Sequence, residues 1–158
     1  MLALVTPEAR YPAIISMGTN TIRGSLNMAL QAGKIRHGYP LSRVTYTHTQ
    51  LQWTATIVPS PLSMSYGIKL SYTKGKHPNV YVISPKLELY PEAEKLPHVY
   101  DTDRQWLCLY HRPTFEWKNF MYIADTIIPW TYEWLVHYEL WLSSGVWRGG
   151  GTVHAPVL

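Results

Sequence analysis

The chain has 158 residues, 46% of them hydrophobic and 15% charged, with 7 Trp and 12 Tyr supplying most of the aromatic content. That length fits one packed domain, and that composition excludes a disordered chain. The net charge of +4 favours acidic partners, but Lys and Arg are scattered without a basic stripe, so nucleic acid is not the expected partner.

The opening MLALVTPEARYP lacks a basic stretch ahead of its apolar run and is broken by Pro7, Glu8 and Arg10, unlike a signal peptide. From Thr21 to Ile35 the pattern predicts a helix, with Leu26, Ala29, Leu30 and Gly33 on one face, Ser25 as N-cap and a Gly-Tyr-Pro stop at 38–40. After Thr45 the period changes to two. Leu51, Trp53, Ala55 and Ile57 alternate with polar residues, as do Met64, Tyr66, Ile68, Leu70 and Tyr72 beyond the Pro59-Ser60-Pro61 turn, which predicts an antiparallel hairpin. A third strand, Asn79 to Ser84, follows the turn KGKHPN and is ended by Pro85.

Residues 86–106 lack a sustained period and carry Pro91 and Pro97, so they are expected as an ordered surface loop. Ile123, Ile127, Trp130, Trp134, His137 or Tyr138, and Trp141 then recur every three to four residues. They predict a helical region over Phe120 to Ser144, kinked or split at Pro129. Asp125, Glu133, His137 and Glu139 within that apolar region argue against a membrane span. The expected fold class is α+β, an antiparallel meander with an N-terminal helix and a long C-terminal helical region, in one domain over 1–148 followed by a flexible Gly-rich tail over 149–158.

The single cysteine, Cys108, lies in WLCLYHRP and makes no internal disulfide, which favours a reducing compartment such as the cytoplasm. A lone cysteine is often a small buried hydrophobe. Here, however, it follows a punctuated loop, with His98, Arg104 and His111 near it in sequence, where exposure and help toward the thiolate are plausible. His111 is expected on the solvated surface. A metal site is not expected, because the spacing of His98, Cys108 and His111 is unlike that of zinc sites and no fourth ligand is evident; no cofactor is expected either.

The run HVYDTDRQWLCLY resembles the active-site segment of ubiquitin-conjugating enzymes, in which a histidine precedes the cysteine by ten residues and a leucine follows it, as His98 and Leu109 do here. Together with WTATIVPSPLSMSYGIKLSY, HPNVYVISP, the EW pair ending in Trp117, TIIPWTYEWLVHYELW and GVWRGGGTVH, it is similar to the prokaryotic conjugating-enzyme-like proteins of CBASS antiphage operons, over about Trp53 to His154.

The resemblance implies a bacterial, cytoplasmic, ubiquitin-conjugating-like acyltransferase with Cys108 as nucleophile. Its cysteine would take the activated C-terminal carboxyl of a partner, the operon's cGAS-like cyclic-nucleotide synthase, as a thioester and pass it to a lysine or other amine. Tyr100 and Val99 stand where ubiquitin-conjugating enzymes have the Asn and Pro of an H-P-N tripeptide, so the oxyanion donor would be the Tyr100 phenol or backbone. His98 is implied as a supporting hydrogen-bonding residue, and Asp101 and Asp103 are candidates to position an incoming ammonium. The alternative from a different class is a catalytically silent module of the same fold that docks onto the synthase.

Overall fold

A computed structural model describes residues 24–150. Helix α1 (Met28–Gly38) starts after Asn27, whose extended backbone turns its side-chain oxygen onto the Leu30 N–H at 3.1 Å. The cap is therefore Asn27 and not the expected Ser25, whose hydroxyl pairs with the Tyr72 hydroxyl at 3.3 Å. The expected start at residues 21–23 lies outside the described residues.

The apolar face of α1 is also displaced. Met28, Gln31, Ala32 and Ile35 are buried, whereas Leu30 is 52% exposed. A polar residue holds a core position because both ends of its amide are paired: Gln31 Nε2 donates to the Met121 carbonyl and Gln31 Oε1 accepts the Ile123 N–H, each at 2.9 Å. Tyr39 adds a third tie, its hydroxyl donating to the Ala124 carbonyl at 3.2 Å.

Six antiparallel strands follow: β1 (Arg43–Tyr46), β2 (Gln50–Ile57), β3 (Tyr66–Thr73), β4 (Asn79–Ser84), β5 (Val99–Asp101) and β6 (Trp106–Leu107), in the spatial order β1-β2-β3-β4-β6-β5. The alternation of β2 and β3 sets their register, with Leu51 opposite Tyr72 and Trp53 opposite Leu70, so one face carries the core. Each such fully buried large side chain contributes about 1.5–3 kcal/mol relative to exposure.

The expected loop over 86–106 contains β5 and part of β6. It is held by Gln105, a buried polar residue with left-handed φ of 50°, whose side chain donates to the Val82 and Pro85 carbonyls and accepts the Leu87 N–H. Those long-range bonds replace the missing periodicity.

Helix α2 (Ile127–Ser144) is shorter than the expected 120–144 region, its start preceded by a separate 3-10 turn, Ile123–Asp125. It runs unbroken through Pro129. That proline is the third helical residue, in the first turn, where its missing N–H removes no intrahelical bond. Ile127, Ile128, Thr131, Trp134, Leu135, Tyr138 and Trp141 are buried in the core. Gly145, at φ 73°, ends the helix by donating its N–H to the Trp141 carbonyl at 2.7 Å. No described helix is long and apolar enough to cross a membrane. Residues 151–158 of the expected tail lie outside the described residues.

Candidate functional site

Strand β6 delivers Cys108 one residue past its end. The Cys108 N–H donates to the His98 carbonyl at 2.9 Å, and Trp134 of α2 donates its indole N–H to the same carbonyl at 3.0 Å. His98 reaches this position in the left-handed region, at φ 46°, which turns its carbonyl toward both donors. Its ring stacks on Trp147, centroids 4.8 Å apart and planes at 26°.

Cys108 is only 7% exposed, and its sulfur meets two polar groups. The thiol S–H donates to the Tyr110 carbonyl, with Sγ 3.6 Å from that oxygen, and the Tyr100 O–H shares its one proton between two acceptors, the sulfur and the same carbonyl at 3.5 Å. Burial pushes the thiol up. The Tyr100 hydrogen bond and the Arg112 charge pull it back only in part, so the resting group is the thiol. Burial, with the Cys108 hydrogen bond and charge, raises Tyr100 well above the ordinary phenol range, which keeps its O–H as a donor. Tyr110 is pushed up to about 12, mainly by burial.

The cation beside this group is Arg112, to which the sequence pattern gives no pointer. Its guanidinium covers the Tyr100 ring at 4.6 Å and the Trp106 ring at 5.6 Å, and it donates to Asn79 Oδ1 at 2.8 Å and to the Pro78 carbonyl at 3.4 Å. His77 shares its Nδ1 with the Tyr110 hydroxyl at 2.7 Å. The stretch His77-Pro78-Asn79, read from sequence as a turn, thus sends all three residues to the cysteine segment from more than thirty residues away. Arg104, near in sequence, instead lies over Tyr81 and Trp106 at 5.4 Å each.

Cys108 lies on the wall of an open cleft of about 570 Å³. One side is built by residues 108–116, the other by Trp130, Glu133, Trp134 and His137 of α2, and the C-terminal segment lines it through Trp147, Gly149 and Gly150. Trp130 and His137 are the members of the α2 aromatic stripe that stand off its buried face, and they turn to this cleft. His111, expected on the solvated surface, is half-buried and lines the cleft with Cys108. Two carboxylates reach it. Glu116 accepts from Thr114 Oγ1 at 3.2 Å, and Glu133 stands 3.8 Å from His137 Nε2.

The predicted site residues therefore separate into two groups. His98, Tyr100 and Cys108 come together, whereas Asp101 and Asp103 do not line the cleft. Asp101 caps the turn that follows β5, accepting the Arg104 N–H at 2.9 Å, and Asp103 is fully solvated, 4.0 Å from Lys86 Nζ. Among the described residues no group of three or more His, Cys, Asp or Glu stands together to hold a metal ion.

The family model described as type II CBASS E2 protein matches residues 31–155. Among curated proteins none matches the chain.

Proposed function

The chain belongs to the type II CBASS E2 proteins, and we propose that its Cys108 attacks an activated C-terminal carboxyl of a partner protein, displaces the activating group, holds the acyl group as a thioester and transfers it to an amine. The proposed partner is the cGAS-like cyclic-nucleotide synthase of the operon, the acceptor is a lysine or other amine, and the setting is antiphage signalling in the bacterial cytoplasm. One observation carries this reading: the only thiol of the chain lies on the wall of an open cleft with a phenol hydrogen-bonded to its sulfur.

In the transfer step the amine adds to the thioester carbonyl carbon. The C–S bond then breaks, the sulfur leaves as thiolate, an amide remains, and the proton from nitrogen passes to water or to the imidazole of His111 on the cleft wall. Tyr100, kept protonated, donates to the charge that develops on oxygen and then on sulfur. His98 supports the site through its carbonyl, which fixes the Cys108 main chain. Asp101 holds the turn behind Tyr100, and the solvated carboxylate of Asp103 meets a lysine ammonium on approach.

A second reading, a silent module docking onto the synthase, is favoured by one feature: burial leaves the thiol little exposed and protonated. Pull-downs with intact synthase and with synthase lacking its last few residues separate the two. Conjugation predicts that truncation abolishes the covalent species while only weakening association; a covalent product untouched by truncation contradicts carboxyl transfer.

A further inference from the structure

Tyr100 is poorly held by its own strand. β5 has three residues, sits at the edge of the sheet and among the described residues pairs only with the two-residue β6, and the register breaks between Val99 and Asp101, at Tyr100 itself. A bulge re-aims a side chain and removes the ladder pairing that would fix it. Tyr100 is also 37% exposed, so its ring has a solvent side to swing toward. Apart from the long 3.5 Å contact of its hydroxyl with the Tyr110 carbonyl, what holds the phenol on the sulfur comes from side chains.

We propose that Arg112 is a positioning residue that holds the Tyr100 phenol against the Cys108 thiol, its guanidinium lying over the phenol ring and tethered to the turn before β4. The guanidinium lies 4.6 Å from the ring centroid, while Trp106 meets the same ring in a tilted contact at a centroid distance of 4.8 Å and 47°. The tether is made by Asn79 Oδ1 and the Pro78 carbonyl. A planar fork that stacks and hydrogen-bonds at once is specific to Arg, and Lys cannot reproduce it. The effect of this device on conjugation rests on Cys108 being the nucleophile; the arrangement of the three groups does not.

The test is the pH dependence of iodoacetamide alkylation of the full chain. Cys108 is the only cysteine, so the reaction reads this thiol alone. The midpoint is the readout, because the plateau rate also changes with exposure. Arg112→Gln should raise the midpoint enough to lower the thiolate fraction at fixed pH about threefold or more. Arg112→Lys should raise it comparably, since charge is kept but stack and tether are lost, and Asn79→Ala should raise it in the same direction. In a Tyr100→Phe background the Arg112→Gln effect should fall to less than half.

A wild-type midpoint in Arg112→Lys, or an equal Arg112→Gln effect with and without the Tyr100 hydroxyl, would show a bare charge and overturn the positioning role. So would unshifted midpoints in both Arg112→Gln and Asn79→Ala. If Arg112→Gln fails to fold, Arg112→Lys and Asn79→Ala decide by the same criterion. No partner protein enters the assay. Failure to find a thioester in cells therefore leaves this inference standing, and failure of the midpoint shift leaves the conjugation reading standing.

Discussion

His98 and Cys108 are joined main chain to main chain, the Cys108 amide donating to the His98 carbonyl at 2.9 Å. Trp134 donates to that same carbonyl from α2, so the helix fixes the height at which the cysteine stands on the cleft wall. Trp134→Phe removes this indole donor and also leaves part of a buried ring's space empty. It should cost about 1–2 kcal/mol in chemical denaturation and increase hydrogen exchange at the Cys108 amide. Unchanged exchange there would show that Trp134 does not anchor the segment.

Two glycines should respond to alanine in opposite directions. Gly145 ends α2 at φ 73°, and a Cβ there would lie 2.7 Å from the Tyr90 ring, so Gly145→Ala should destabilise by about 1–3 kcal/mol. Gly33 lies inside α1 with no atom within 4 Å of an added Cβ, and Gly33→Ala should stabilise by about 0.4–1 kcal/mol. Thermal and urea unfolding measure both.

Glu139 ties the β2–β3 connection to α2. Its carboxylate accepts from Ser63 Oγ at 2.6 Å, Tyr66 Oη at 2.8 Å and the Met64 N–H at 3.3 Å. Glu139→Ala leaves the phenol of a buried tyrosine without its acceptor. It should cost about 1–3 kcal/mol and raise hydrogen exchange at Met64.

His77 is lowered from the ordinary imidazole value, first by burial and then by Arg112. Below pH about 6.5 the unfolded chain therefore takes up this proton before the folded one does. Stability is unaffected by the group above that pH and declines as the pH falls through it toward the depressed folded value. Thermal melts between pH 8 and 5 should show a shallower acid decline for His77→Asn than for wild type; equal slopes would contradict the assignment.

The meander and α2 were legible because their periods are long and clean: Trp53 faces Leu70 as the alternation requires, and Trp134, Tyr138 and Trp141 share the buried face of α2. Helix α1 was misplaced on its axis because Gln31, polar by type, is buried by bonds to Met121 and Ile123, ninety residues away. The short strands β5 and β6 carry too few residues to show a period, and their order depends on Gln105 bonding back to β4. At the site, the ten-residue spacing of His98 and Cys108 was readable. Arg112, His77 and Asn79 were not, since only the closing of the sheet brings the turn before β4 against the cysteine segment. The carboxylates that reach the cleft are Glu116 and Glu133, because Asp101 is spent on capping its own turn.

The most direct measurement is intact-mass spectrometry of the protein co-expressed with its operon neighbours, as wild type, Cys108→Ala and Cys108→Ser. Conjugation through Cys108 predicts a wild-type adduct that thiol reagents remove and no adduct in Cys108→Ala. It also predicts a more persistent oxyester in Cys108→Ser, because an alkoxide leaves less readily than a thiolate. Adducts persisting unchanged in Cys108→Ala would contradict the account.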